Sequence, residues 1–258
     1  MIYDVQKASL LKRFSAFLLD FILLCVLTSG FAFLLAWITQ IDKYNDTLQA
    51  HYEKYEEKYG VDFSISAEEY ENLPQEQKDK YDTALDELNS EFKNSPELVK
   101  AYNMSIALPM LIITLSILPA FLVFEFIIPL CLKNGQTIGK KVFSLGVVFN
   151  NSVRISNFAL FVRAIFGKYA IETMFPVLLI MLVFYGQIGL ILAGILVAAL
   201  LILQIVLLIA TKNNAFVHDV LANTVVVDMQ SQMIFATTQE LISYKEELSK
   251  QEAEKKEY

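Results

Sequence analysis

A run of apolar residues near the beginning of the chain decides the fold: FSAFLLDFILLCVLTSGFAFLLAWI, residues 14–38, with Asp20 as its one charged residue. A helix rises about 1.5 Å per residue, so this run can cross the roughly 30 Å of hydrocarbon in a bilayer. Lys7, Lys12 and Arg13 precede it, as basic residues precede the apolar region of a signal peptide. The run is longer than such a region and no convincing cleavage site follows, so we expect a retained first span.

Two further apolar runs predict three more spans. Residues 104–132 contain Glu125 as their one charged residue, and residues 171–211 contain only Glu172. The second run is long enough for two spans, with a tight turn predicted at residues 185–187. The whole chain is 55% hydrophobic with a mean hydropathy of +0.45, above the roughly 45–50% of soluble domains. The sequence therefore predicts an all-α membrane protein with four transmembrane helices.

The distribution of basic residues predicts the orientation. Residues 42–101, between the first two spans, contain seven lysines and sixteen acidic residues. The segment between the second and third spans has no acidic residue, and its basic residues are Lys133, Lys140, Lys141, Arg154, Arg163 and Lys168. Basic residues close to spans are retained in the cytoplasm. We therefore expect both termini and the basic segment in the cytoplasm, and the acidic segment outside.

The acidic outer segment has the pattern of a helical hairpin, because apolar and tyrosine side chains recur in it at helical spacing. The first stripe is Tyr44, Leu48, Tyr52, Tyr55 and Tyr59, and the second is Tyr81, Leu85, Leu88 and Phe92. We expect the two stripes to pack together on the outer surface. A partner-binding cap or a chamber that collects substrate is the alternative.

Local signals give the ends of these helices. Gly60 is predicted to end the first helix, and Ser66 with Glu69 forms a capping box that opens a short turn. Pro74 suits the first position of the next helix. Residues 95–96, Ser-Pro, are predicted to cap a third helix that continues into span 2.

The basic inner segment predicts an interfacial amphipathic helix followed by a strand signal. Apolar residues recur at Phe158, Phe161, Val162, Ile165 and Phe166, interleaved with Arg163 and Lys168. We expect this helix to lie in the membrane interface, with its basic groups near anionic lipid headgroups. Residues 142–149 and 224–228 have β character, so a small cytoplasmic two-stranded ribbon is predicted. The charged tail, residues 237–258, is predicted as a solvated helix.

Two acids inside predicted spans are the candidate ion- or proton-binding residues. Asp20 lies two turns after Arg13 on the same face of span 1, in the inner half of the bilayer. Glu125 lies at comparable depth on span 2 and could meet Asp20. Two carboxylates sharing a site would hold a proton or a cation. The alternatives are a buried acid that ties helices together, for Asp20, and an acid that reaches the headgroups, for Glu125.

Other candidate motifs carry less weight. Glu172 is expected to form a surface pair with Lys168. His218-Asp219 alone does not indicate catalysis or a metal site, and Cys25 and Cys131 are expected to be inert thiols inside spans. Residues 135–141 differ from a phosphate-binding loop in glycine spacing and lack the Ser or Thr after the lysine. We therefore expect no enzyme activity, no cofactor, no metal and no nucleic-acid partner.

Three segments together resemble the RDD family of bacterial membrane proteins. Residues 12–20, KRFSAFLLD, are similar to the family's arginine followed two turns later by aspartate. Residues 134–141, NGQTIGKK, are similar to its Gly-Gln-Thr-Leu-Gly-Lys-Arg turn after the second helix. Residues 218–227, HDVLANTVVV, are similar to its closing His-Asp-x-Leu-Ala-x-Thr-x-Val-Val. The chain departs from the family in its long acidic outer segment and in Asn223, where glycine is commoner.

The resemblance implies that Arg13, Asp20 and Asp219 are the residues that name the family, in a bacterial cell membrane. It also implies transport of an unidentified ligand, with cation/proton exchange proposed for some members. With the predicted topology, we expect an inner vestibule below Asp20. Its predicted residues are Arg13, Gly135, Gln136, Gly139, Lys140, Lys141, His218 and Asp219. A rigid network that closes the inner end of the bundle is the competing interpretation.

Four segments follow from these observations. Residues 1–41 contain span 1, residues 42–101 are the outer insertion, residues 102–228 hold spans 2–4 and the basic segment, and residues 229–258 are the tail. The leading hypothesis is a transporter or transport accessory subunit for a small ion or solute. The alternative is a non-catalytic scaffold or assembly factor that binds protein or lipid partners. A homo-oligomer, or a protein partner on the outer hairpin, is compatible with both.

Overall fold

A computed structural model describes residues 5–254, so the first four residues of the predicted first segment and the last four of the predicted tail lie outside it. The described chain forms two compact units. Residues 5–29 and 117–254 form the first unit, and residues 30–116 form the second.

Within residues 5–254, four helices are long and apolar enough to cross a membrane, which confirms the predicted spans. They are span 1, Leu10–Thr39; span 2, Pro96–Leu132; span 3, Asn157–Phe184; and span 4, Leu190–Ala210. A turn joins spans 3 and 4 where it was predicted, with Gly186 at a φ of 65°. Cys25 and Cys131 are free thiols on exposed faces of spans 1 and 2.

The second unit contains the predicted hairpin. Its helices are Ile41–Tyr59, Ala67–Glu71 and Gln75–Asn94. Gly60 ends the first helix at a φ of 63°, as glycine readily does. The Ser66–Glu69 capping box is present. Pro74 was predicted at the first position of the next helix, but it is the N-cap, and the helix begins at Gln75. Span 2 begins at Pro96, directly after Ser95, as predicted.

The two long hairpin helices pack together, but only some residues of the two predicted stripes are buried between them. Tyr55 and Leu88 are buried, together with Ala84 and His51, whereas Tyr52 is 37% exposed. Two cross-helix ion pairs flank this contact: Lys54 to Glu91 at 3.0 Å and Lys58 to Glu87 at 2.6 Å. The hydroxyl of Tyr55 donates to Glu91 at 2.5 Å, so this tyrosine joins the buried contact to the charged pairs at its edge.

The first unit contains the predicted β ribbon. Strands β1, Leu145–Phe149, and β2, Thr224–Asp228, pair antiparallel with Val147 opposite Val226. Leu145 and Val147 pack on helical residues that include Ala16 of span 1. The opposite face is covered as well, which explains a continuous apolar run instead of an alternating one.

The predicted interfacial helix is not a separate element. Residues 158–166 form the beginning of span 3, which extends from Asn157 to Phe184 without a break. Phe158 and Phe166 are exposed, but Arg163 is 4% exposed and contacts an acid instead of facing outward. Arg163 thus pairs with an acid of the protein itself, which differs from the prediction that it lies near lipid headgroups.

The tail forms a helix, Thr238–Glu254, whose beginning is attached to the first unit. Leu241 is buried in a cluster with Val153 and Phe235, and Tyr244 packs on that cluster. Only the later turns therefore match the predicted solvated face.

Candidate functional site

Asp20 is buried in span 1 and is bound by the turn that follows span 2. The hydroxyl of Thr137 donates to Oδ2 at 2.5 Å, and the amide N–H of Gly139 donates to Oδ1 at 2.7 Å. The ammonium of Lys140 lies 3.6 Å from Oδ2. Both oxygens of Asp20 therefore face donors from one short turn, so this carboxylate fixes the turn to span 1.

Local chemistry explains the shape of this turn. Asn134 and Gly135 have positive φ angles of 49° and 61°, which reverse the chain after span 2. Thr137 then caps the short helix Ile138–Val142, because its hydroxyl accepts the amide N–H of Lys140 at 3.3 Å. Gln136 donates to the carbonyl of Leu145 at 2.7 Å and so attaches the turn to the ribbon.

Gly139 allows the turn to reach span 1. A Cβ added at this position would lie 2.4 Å from the carbonyl oxygen of Ala16 and 2.7 Å from Oδ1 of Asp20. No side chain fits at these distances, so only glycine permits both the contact and the hydrogen bond. The glycine requirement here is one of space, not of backbone angle.

Asp219 is the second buried carboxylate and lies between two arginines. Its Oδ2 is 3.2 Å from Nη2 of Arg13, and its Oδ1 is 2.9 Å from Nη2 of Arg163. The amide N–H of Phe216 also donates to it, at 3.3 Å. Burial raises the pKa of Asp219, but the nearby positive charges, Arg163 first, outweigh burial and lower the pKa to about 2.

Arg13 therefore pairs with Asp219, the third of the residues that the sequence singled out, and not with Asp20 two turns along its own helix. Its Nη1 donates to the carbonyl of Asn214 at 2.6 Å, and its guanidinium lies 5.1 Å from the ring centroid of Phe216. These contacts attach the beginning of span 1 to the segment after span 4.

Glu125 and Glu172 have partners that differ from those predicted. Lys168 bonds to Glu125 at 2.5 Å, so Glu125 is buried in an ion pair and does not reach out to the headgroups. Glu172 instead contacts Nδ1 of His218, at 2.8 and 2.9 Å from its two oxygens. The predicted Glu172–Lys168 pair is wrong, because Lys168 turns to the acid of the neighbouring span.

His218 is held tightly between span 3 and Asp219. Its Nε2 lies 3.6 Å from Oδ2 of Asp219. A Cβ at Gly167 would come within 2.5 Å of Cβ of His218, so the glycine permits this approach. Burial lowers the pKa of His218 although two neighbouring acids act to raise it. This favours the neutral imidazole.

The cluster-forming charges of span 2, Glu125, and of span 3, Arg163, Lys168 and Glu172, lie on π-helical segments, Leu122–Ile127 and Val162–Met174. In each span a proline, Pro129 or Pro176, stands four residues after the acid, Glu125 or Glu172. A proline has no N–H for the carbonyl four residues earlier, so the regular α-helical bonding cannot continue there. The recurring Glu-x-x-x-Pro pattern is the sequence signal that marks both segments, and it was not among the predicted features.

These groups form three sets that are bonded directly within themselves, around Asp20, Glu125 and Asp219, and the sets act on one another through their charges; together they are called here the charged cluster. Its members are Arg13, Asp20, Glu125, Lys140, Arg163, Lys168, Glu172, His218 and Asp219. The positive and negative charges balance when His218 is neutral. Among residues 5–254, no group of three or more His, Cys, Asp or Glu residues is placed to hold a metal ion.

The structure brings most of the predicted site together. Lys140 and His218 join Asp20 and Asp219, but Lys141 is exposed and outside the cluster. Asp20 and Glu125 are held by different partners and do not form the predicted shared carboxylate site. The sequence did not reveal that Thr137 is a hydrogen-bond donor to Asp20. It also predicted that the basic residues of span 3 lie near lipid headgroups, whereas Arg163 and Lys168 pair with acids of the protein.

Comparison with known proteins gives the family of the chain. The family model described as RDD family matches residues 7–223, which include span 1, the turn after span 2 and the His218-Asp219 motif. The chain therefore belongs to the RDD family. No curated protein and no solved structure matches the chain.

Proposed function

We propose that this member of the RDD family moves a small ion or solute across the membrane, coupled to protons, and that the charged cluster is the site where transport is controlled. The observation that carries the proposal is a balanced set of buried charges on spans 1, 2 and 3 and on the short segments that follow spans 2 and 4. The protein acts in the bacterial cell membrane, with the cluster on the cytoplasmic side.

Burying charge in a membrane-spanning bundle costs free energy. Charged side chains inside a membrane-spanning bundle are costly, and buried ion pairs are often no more stabilising than apolar packing of the same volume. A helix bundle can therefore close its end without them. The charged cluster is balanced, so one proton gained or lost leaves it with a net charge. That charge is then compensated when an ion binds or when a part of the protein moves.

Within this proposal Asp20 has a changed role. Its oxygens are occupied by Thr137 and Gly139, so Asp20 anchors the turn that carries Lys140 instead of lying open to solvent. The neutralising variant Asp20→Asn should uncouple that turn from span 1 and abolish transport.

The test is dissipation of a pH gradient by the purified protein in liposomes, with Na⁺, Li⁺ or K⁺ added. We expect cation-dependent proton flux in the wild type and none in Asp20→Asn. The matched control is Asp86→Asn, because Asp86 is exposed in the hairpin and outside the cluster. Absence of flux from folded wild-type protein with each cation would reject cation/proton exchange.

A second candidate function is a non-catalytic scaffold, favoured by the separate hairpin unit with its excess of acidic residues. Its partner would present a basic surface to the hairpin. Photo-crosslinking from exposed hairpin positions in native membranes would test it. A discrete cross-linked protein that is lost at high salt supports this role, and no cross-link from these positions argues against it.

A further inference from the structure

We infer that Lys140 is the member of the charged cluster that releases and rebinds a proton. The inference rests on the proposed function, because it names the group whose proton is coupled to transport. It differs from the expectation, drawn from the sequence, that an intramembrane acid holds this proton.

The ammonium of Lys140 is buried and poorly bonded. The side chain of Lys140 is one-tenth exposed, and its Nζ donates to the hydroxyl of Thr137 at 3.0 Å. Its nearest carboxylate oxygen, Oδ2 of Asp20, is farther away at 3.6 Å. An ammonium has three N–H donors, so the charged form is incompletely satisfied here. Asp20 already accepts hydrogen bonds from Thr137 and Gly139, which leaves it less available to Lys140.

Several cations compete for the acids around Lys140. Span 3 presents Lys168 and Arg163, span 2 presents Glu125, and span 1 presents Asp20. Lys168 bonds directly to Glu125 at 2.5 Å, and Arg163 bonds directly to Asp219 at 2.9 Å. Lys140 is thus the cation of the cluster with the weakest carboxylate contact, and the positive charges of Lys168 and Arg163 repel it.

Lysine is also the cation of the cluster whose chemistry allows it to lose a proton. Arginine stays protonated in proteins, so Arg13 and Arg163 cannot supply a proton. Lysine shifts its pKa readily when it is buried. Burial and the neighbouring Lys168 lower the pKa of Lys140 to about 8, within reach of the cellular pH.

The proton step is simple. The ammonium of Lys140 transfers a proton to water and keeps the electron pair on Nζ as a neutral amine. The cluster then changes from balanced to a net charge of −1, and the hydrogen bond to Thr137 is weakened. That negative charge is compensated by the transported cation or by a rearrangement of the turn that Asp20 holds. Reprotonation restores the balanced cluster and completes a cycle.

The direct test is NMR of the protein carrying ¹⁵N-labelled lysine side chains, in detergent micelles. The Lys140 signal is assigned by its absence in Lys140→Arg, and Lys133→Arg is the matched control at an exposed position of the same turn. We expect the Lys140 signal to titrate around pH 8. A Lys140 signal that stays protonated up to about pH 10, the ordinary lysine range, overturns the inference.

The transport test uses the same variants in liposomes. Lys140→Arg keeps the positive charge but cannot lose it, so flux should fall at least tenfold and lose its dependence on pH between about 7 and 9. Lys133→Arg should match the wild type. Unchanged pH dependence in folded Lys140→Arg overturns the inference. Titration of Lys140 without any wild-type flux rejects the proposed function while the assignment of the labile proton stands.

Discussion

Gly139 and Asp20 are in direct contact: the amide N–H of Gly139 donates to Oδ1 of Asp20 at 2.7 Å. The same glycine leaves no space for a Cβ against the carbonyl of Ala16. One aspartate on span 1 and one glycine after span 2 thereby join two parts of the chain that are far apart in sequence. The Gly-Gln-Thr-x-Gly motif is consequently a binding surface for Asp20 made of backbone and hydroxyl donors.

The first prediction concerns this contact. Gly139→Ala places a methyl group 2.4 Å from a backbone oxygen. We therefore expect the free energy of unfolding to fall by about 1–3 kcal/mol or more, the usual cost of overpacking. Thermal unfolding in detergent measures it. Gly194→Ala in span 4 is the control, because nothing lies within 4 Å of its added Cβ. Equal stability of the two variants would contradict the close contact.

The second prediction concerns Asp219 and its two arginines. Asp219→Asn leaves Arg13 and Arg163 without their shared carboxylate, so we expect a loss of about 3–5 kcal/mol in the free energy of unfolding. Asp228→Asn is the control, because its partner Lys12 has a side chain that is 40% exposed. That pair should contribute at most about 1 kcal/mol. A smaller effect at Asp219 than at Asp228 would refute the assignment.

The third prediction is the dependence of stability on acid. The pKa of Asp219 is lowered to about 2 in the folded protein, against an ordinary value of about 3.9 when unfolded. The unfolded chain therefore takes up the proton first as the pH falls. The stabilisation by Asp219 is complete above about pH 5 and is lost as the pH falls toward 2. Unfolding of the wild type and Asp219→Asn across this range should converge at the acidic end; a constant difference would contradict the linkage.

The fourth prediction concerns orientation. Cysteine placed at Lys141, in the exposed part of the basic segment, should react with a membrane-impermeant maleimide only in inverted vesicles. Cysteine at Asp86, in the acidic hairpin, should react only in intact cells. Cys25 and Cys131 are first replaced by serine, so that single sites are labelled. Labelling of both positions from one side would show that the predicted topology is incorrect.

Several elements were predictable because their signals are local. An apolar run determines a span by its length alone. Helix ends are set by residues within one helical turn, as at the Ser66–Glu69 capping box and at Gly60. The strands β1 and β2 were predicted from β-forming residues, and their pairing follows from the nearness of their ends to the spans. The π segments were not predicted, although Pro129 and Pro176 mark where regular bonding must stop.

The partners of the charged residues could not be read in the same way. Arg13 and Asp20 lie on one helix face, yet each contacts a residue more than a hundred positions away along the chain. Lys168 is near Glu172 in sequence but bonds to Glu125. Several cations compete for each acid, and sequence spacing gives no distances between helices that could rank them.

The sequence by itself thus determined the number of spans, the hairpin, the ribbon and the family motifs, because each depends on composition or spacing over a few turns. Only the tertiary structure decided that Asp219 lies between two arginines, that Asp20 anchors a turn, and that Lys140 is the poorly paired cation. These facts depend on which side chains meet when helices pack. Among buried charges, differences of an ångström in those distances decide which group exchanges a proton and which group stabilises the fold.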